Sequence, residues 1–322
     1  MAATGFRVSW WLRGAHFQTV YGSVLAPAGR VSYRRERWDT PDGDFIDVDF
    51  ADGREDAPLV VLFHGLEGSS DSRYARRLMH FARDRGWRGA VANFRGCSGE
   101  LNRRPRAYHS GDSQEVDWIL RRMKARTGDR ALYAAGVSLG GNALLKWLGE
   151  RGDEAATIVG GATAVCAPVD LMAAGDALEV GFARVYADHF LKTLKQQSLR
   201  RLAIFPGIYD RDAMLASRTL REFDNVVTAP LHGYRDTDDY YPRASAKPLL
   251  GAVRVPTLVL NARDDPFLPP QFLPAAADVS AAVVLEQPAL GGHVGFVAGG
   301  IPLFGNIDWM PQRLLRFFSD KD

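Results

Sequence analysis

A serine set between glycines at the end of an apolar run narrows the possible folds of this 322-residue chain more than any other feature. Residues Ala131–Val137 read as a buried strand and Gly140–Gly149 as a helix, with Ser138 at the joint in Gly136-Val-Ser-Leu-Gly140. As a bare string, G-x-S-x-G is common. Between a strand and a helix it specifies a sharp, strained turn that exposes a hydroxyl, with small neighbours so that the flanking chains close without clash. The helix N-terminus behind such a serine favours negative charge developing beside it. The bland alternative is a glycine-rich turn with a bystander serine.

The surrounding pattern agrees with that turn. Apolar runs at Pro58–Phe63, Trp87–Phe94, Ala131–Val137 and Ile158–Ala167 alternate with helical patterns at Ser72–Arg85, Asp112–Arg126 and Gly140–Gly149. Such alternation argues an α/β fold, a mostly parallel central sheet with helices on both faces. Val31–Trp38 and Phe45–Phe50, joined through Thr40-Pro-Asp-Gly43, read as a hairpin at a sheet edge. The pattern resumes late, with strands at Pro256–Asn261 and Ala281–Glu286, a short helix at Gln271–Ala277 and a terminal helix at Trp309–Ser319. Between Asp170 and Leu250 it stops. That stretch holds helical segments (Glu179–Lys195, Arg211–Phe223) and a polar aromatic patch, Tyr234–Tyr241, but no buried strand run. The expectation is one domain over residues 1–322, with a core at about 25–169 and 251–322 and a helical cap inserted at about 170–250.

A nucleophilic serine needs a base. Of seven histidines, His293 has the right setting, a Gly-flanked loop (Gly291-Gly-His-Val-Gly295) after a late strand. His16, His80, His109, His189 and His232 have no comparable one. The base needs an orienting carboxylate, and Asp264 and Asp265 both stand at the C-terminal end of the strand at Pro256–Asn261. Acyl transfer also needs two N–H groups aimed at an oxyanion. Leu139, next to the serine, offers one, and Leu66 in His64-Gly-Leu-Glu-Gly68 the other. His64 reads as packing under that loop and bonding backbone. Arg95 reads as a loop-holding ion pair with Asp112 or Asp117 rather than a substrate anchor, and Arg103-Arg-Pro-Arg106 as a solvated loop. Cys97 has no base–acid pair near it.

Composition removes whole classes. A net charge of +2, with 46% hydrophobic and 24% charged residues, fits a globular chain without a nucleic-acid footprint. Two cysteines, Cys97 and Cys166, build neither a disulfide framework nor a zinc pattern. No stretch is long and apolar enough for an integral membrane segment, and the N-terminus lacks a signal-peptide pattern. A cytoplasmic location is expected. Trp10 and Trp11 read as anchoring the N-terminal segment onto the core, the alternative being contact with a lipid surface.

HGLEGSSDSRY, NFRGCSGELNR, YHSGD, GVSLGGN, NARDDPF and GGHVGF, in this order, resemble the YheT-like branch of the α/β-hydrolase fold. HFQTVYGS near the N-terminus and HGYRDTDDYYPRAS near the end of the expected cap resemble it too. The resemblance runs from about residue 10 to 318. It implies a catalytic triad of Ser138, Asp265 and His293, in that chain order. Asp265 is the better match of the two acids, because the acid in such relatives stands four positions before a proline, here Pro269. It also implies esterase chemistry on short- to medium-chain acyl esters or lipids, with no metal or organic cofactor and a small-molecule ester or lipid as partner. An acyltransferase on the same triad and a non-catalytic binding protein of the same fold are the alternatives. Nothing in the residues separates monomer from dimer.

Overall fold

In the computed structural model, which describes residues 5–302 and 304–320, the apolar runs become one eight-stranded sheet. The first four residues, part of the stretch judged to lack a signal peptide, lie outside the described residues. β1 (Arg34–Asp39) and β2 (Phe45–Ala51) form the hairpin at one edge. β3 (Leu59–Phe63), β4 (Arg88–Asn93), β5 (Leu132–Val137), β6 (Gly161–Val165), β7 (Thr257–Leu260) and β8 (Val283–Glu286) run parallel to one another. The spatial order is β1-β2-β4-β3-β5-β6-β7-β8.

The central strands are apolar because both their faces are covered. Every residue of β3 and β5 is buried. The edge hairpin carries charge instead. Arg35 lies opposite Asp49, and Arg37 opposite Asp47. Each guanidinium makes a two-pronged bond to its carboxylate at 2.7–2.8 Å, which fixes the register.

The helices in chain order are α1 (Ala15–Val20, extended by a π-helical turn at Tyr21–Leu25), α2 (Arg73–Asp84), α3 (Ser113–Thr127), α4 (Leu139–Arg151) and α5 (Asp153–Ile158). After β6 come α6 (Leu171–Leu178), α7 (Ala183–Ile204), α8 (Arg211–Ala216), α9 (Leu220–Val226), α10 (Thr228–Leu231) and α11 (Thr237–Ala244). α12 (Trp309–Ser319) closes the chain. α2 shows why the sequence pattern works. Ala75, Leu78, Met79 and Ala82 fall at i, i+3, i+4 and i+7 and are all buried. They join Leu314 and Phe318 of α12 on one face of the sheet. Ile119, Leu120, Leu144 and Leu148 of α3 and α4 pack on the other face.

Several expected elements differ in extent. Ile158 ends α5 rather than opening a strand, and β6 begins at Gly161. The helix expected at Gln271–Ala277 is two 3-10 turns, Pro270–Phe272 and Ala276–Asp278. Pro274 between them supplies no N–H to continue a helix. The segment expected at Arg211–Phe223 is broken at Ser217, where Thr219 starts α9 by accepting from the Glu222 N–H. The aromatic patch ends in α11, which buries Tyr240 and Tyr241. Arg95 is buried in an ion-pair cluster, as a loop holder, but its partners are Asp42, Asp44 and Glu115 at 2.7–2.8 Å. Asp112 is taken by Arg106 and Asp117 by Arg121. Among the described residues no helix is long and apolar enough to cross a membrane.

One half-buried acid among these helices ties stability to pH. Asp224 of α9 accepts from Thr228 Oγ1 at 2.5 Å and from the Tyr241 hydroxyl at 2.9 Å. Burial pushes its carboxyl up to about 6. A folded pKa above the unfolded one gives stability that is present at low pH and lost as pH rises through about 6. Asp224→Asn should remove that loss. Measured by urea unfolding, its stability relative to the parent should rise by on the order of 2–3 kcal/mol between pH 4 and pH 7. A constant difference would refute this.

Candidate active site

Parallel strands of matched length end at one level, and the loops that leave them meet there. Phe63, the last residue of β3, lies opposite Gly136, and Val137 lies opposite Val165 of β6. Val165 in turn faces Leu260 of β7. The loops after β3, β5, β6 and β7 are therefore neighbours at this edge.

Ser138 turns the chain from β5 into α4 with φ +53°. That left-handed conformation is strained for a residue with a side chain. The Ser138 N–H, donating to the Val165 carbonyl at 2.8 Å, holds it in place. A Cβ on Gly140 would run into the carbonyls of Phe63 and His64. The glycine lets α4 start directly against the end of β3.

The structure brings Ser138, His293 and Asp265 together. His293 Nε2 accepts from Ser138 Oγ at 2.9 Å. His293 Nδ1–H donates to the Asp265 carboxylate at 2.9 Å. Asp265 is buried and also accepts from the Phe267 N–H at 2.8 Å. Asp264 faces elsewhere and accepts from the Gly292 N–H at 2.9 Å, bracing the backbone of the histidine loop. Burial raises its carboxyl. The Phe267 ring stacks on the imidazole with centroids 3.8 Å apart.

Leu66 and Leu139 border the same cleft as Ser138. The neighbours of Leu66 are pinned on both sides. The Gly65 N–H donates to the Tyr74 hydroxyl at 2.9 Å, and the Glu67 N–H to the Tyr108 hydroxyl at 2.7 Å. The Leu66 N–H has no protein acceptor among the described residues. The Leu139 N–H belongs to the first turn of α4, where no helical partner exists. His64 lies beneath the loop. Its Nδ1–H donates to the Gly65 carbonyl at 2.8 Å, and its Nε2 accepts from the Phe94 N–H at 3.0 Å. Burial lowers its pKa to about 4, so it stays neutral.

Cys166, Asp265 and His293 place ligand-type atoms within 4.8 Å of one another. The chemistry does not suit a metal. His293 Nδ1 is committed to Asp265. Burial and the adjacent Asp265 drive the Cys166 thiol well above its ordinary pKa, away from the thiolate that a metal requires. Cys97 is half-buried, and desolvation likewise pushes its thiol up.

The cleft encloses about 1180 Å³ of empty space, its open mouth included. Leu171, Leu178, Phe190, Leu194 and Phe223 from α6, α7 and α9 face Ser138 across it.

Sequence reasoning missed what holds the histidine loop. The His293 N–H donates to Thr19 Oγ1 of α1 at 2.8 Å, and the Val297 N–H to Gln18 Oε1 at 2.7 Å. A Cβ on Gly292 would strike the Ala15 carbonyl, and one on Gly295 would crowd the Gln18 carbonyl. The loop's glycines thus serve contact with α1. His-Phe-Gln-Thr was noticeable only as a family string, since nothing local links residue 19 to residue 293.

A family model described as alpha/beta hydrolase fold matches residues 58–299. The chain belongs to the α/β hydrolase fold family. This α/β hydrolase is 41% identical over 304 residues to the Escherichia coli K12 protein named "Putative esterase YheT", covering 93% of this chain and 88% of that one. It is 32% identical over 299 residues to "Phospholipase ABHD3" of Mus musculus, covering 90% of this chain and 72% of the relative. Among solved structures, the Pyrococcus furiosus esterase Pf2001 matches with a TM-score of 0.55 at 13% identity, over 90% of this chain and 93% of that one. At such low identity the likeness concerns the fold alone. The YheT-like resemblance read from the motifs agrees with the YheT match.

The support from α1 is testable on this α/β hydrolase. Thr19→Val removes the one acceptor that the His293 N–H has among the described residues, and an unsatisfied buried donor costs about 1–3 kcal/mol. Labelling of Ser138 by a fluorophosphonate probe should slow about tenfold or more, and Thr19→Ser should restore it. Unchanged labelling of the valine variant would show that the loop needs no such anchor.

Proposed function

We propose that this chain is a serine hydrolase of carboxylic esters, acting through Ser138, His293 and Asp265. The observation that carries the reading is the unbroken hydrogen-bond chain from Ser138 Oγ through His293 to Asp265, beside N–H groups left free at Leu66 and Leu139. Relatives named as an esterase and a phospholipase support ester-bond cleavage as the reaction class. His293 takes the Ser138 proton as Oγ attacks the ester carbonyl. Asp265 holds the tautomer that leaves Nε2 free to accept, and stabilises the imidazolium. The Leu66 and Leu139 N–H groups receive the oxyanion. His293 gives that proton to the leaving alcohol, then takes one from the water that attacks the acyl carbonyl and returns it to Ser138 Oγ as the acyl–oxygen bond breaks and the acid leaves.

The walls of the cleft support a substrate class. An apolar cleft suits esters of short- to medium-chain acids, acylglycerols among them. In this reading residues 1–322 form one domain, and α6–α11, within the segment at about 170–250, act as a cap over Ser138. Because those helices supply most of the apolar wall, they set the acyl preference.

Ser138→Ala should lower kcat for p-nitrophenyl butyrate by at least about 10³-fold, with an unchanged circular dichroism spectrum. Substantial residual turnover by the folded variant would refute the assignment. Product analysis with added ethanol measures the share of acyl groups passed to an alcohol, and predominant free acid is expected. A predominant ethyl ester would make the chain an acyltransferase on the same triad.

A further inference from the structure

We propose that the outer face of the N-terminal segment docks on an anionic lipid bilayer. The two tryptophans divide the roles the sequence left open. Trp11 packs beside Leu12, Tyr21 and Val297, whereas Trp10 is 67% exposed. On α1 and its π-helical turn, Phe17, Val20, Val24 and Leu25 form one outward stripe, with Phe17 70% exposed. A helix stripe of this kind normally covers a core. Here none of the described residues covers it.

Two further segments extend the apolar face. On one side the His16 ring lies 4.7 Å from that of Phe182, and His16 Nδ1 is hydrogen-bonded to the Tyr186 hydroxyl at 3.2 Å. That brings exposed Val180, Phe182 and Val185 alongside α1. On the other side the Ser9 N–H donates to the Val297 carbonyl at 3.1 Å, and Ser9 Oγ to the Gly299 carbonyl at 2.6 Å. Exposed Ile301 and Phe304 follow in that loop. Exposed apolar side chains gathered from three neighbouring segments mark a contact site.

Charge selects the occupant. Residues 5–33, 179–188 and 287–307 hold four arginines, Arg7, Arg13, Arg30 and Arg184, and two carboxylates, Glu179 and Asp188, a net +2. A second copy docked two-fold through this face would bring two surfaces of the same net sign together. Anionic headgroups would neutralise the arginines while the acyl region takes the apolar side chains, the pattern of an interfacial helix. The face also borders the cleft. Tyr186 packs on Phe267, with ring centroids 5.2 Å apart, and Phe267 stacks on His293.

The test is vesicle flotation of the full chain at 0.1 M salt. Phosphatidylcholine vesicles with 30% phosphatidylglycerol are compared with pure phosphatidylcholine. The parent should float with the anionic vesicles and lose most of that binding on pure phosphatidylcholine. Phe17→Ser with Val24→Ser should weaken binding by about tenfold or more, with an unchanged melting temperature and unchanged turnover of dissolved p-nitrophenyl butyrate. Ser138→Ala should bind like the parent, so docking is read independently of catalysis. No retention of the parent, or equal retention of the double variant, would overturn the proposal. So would light scattering showing a parent dimer that the double variant dissolves, because a second copy would then own the face.

Discussion

The left-handed backbone at Ser138 depends on the ladder around it. Alone, such a residue relaxes to an ordinary conformation. Here its N–H is fixed to the Val165 carbonyl, and β5 is locked between β3 and β6. The strain is therefore held by the most thoroughly buried part of the molecule. The same register sets the other parts of the site. Because Phe63, Gly136, Ala164 and Val259 lie in one row, the loops beyond them emerge within reach of one hydroxyl.

The helical segment after β6 then has one place to go. α6 starts six residues beyond the last residue of β6, and Asn142 of α4 holds the far end, with Nδ2 donating to the Ala244 carbonyl at 2.8 Å and Oδ1 accepting from the Ala246 N–H at 3.0 Å. Asn142 lies one turn into the helix that Ser138 begins. A single residue of the helix that Ser138 begins thus ties the end of α11 to the cleft that α6, α7 and α9 line.

Much of this was legible in the sequence because it is local. Strand runs such as Pro58–Phe63 and the helix stripe on α2 are periodic, and Gly-x-Ser-x-Gly carries its own geometry. What was not legible is contact between distant segments. Neither Asp264 nor Asp265 differs in its local setting. Only the path of the backbone after β7 aims Asp265 at the imidazole and Asp264 at the Gly292 N–H. Arg95 was legible as a loop holder but not in its partners, since the acids it meets at Asp42 and Asp44 belong to the hairpin turn of another strand pair. The inserted helices were blurred for a different reason. They pack on one another in small clusters, such as Leu191 with Met214 and Phe223, so no long apolar period builds up along the chain.

The N-terminal segment carries the consequence furthest. α1 is too short to persist alone. It is kept by inward bonds: Thr19 to the His293 N–H, and Gln18 to Val297 and Leu12. Phe17 and Val20, on the same turns, point outward. One side of this helix therefore sets the imidazole, and the other meets whatever lies outside. The glycines at 292 and 295 let the histidine loop lie directly against this helix. The inward residues of this six-residue helix thus hold the His293 loop while its outward residues make no part of that support, so the two sides can be substituted separately.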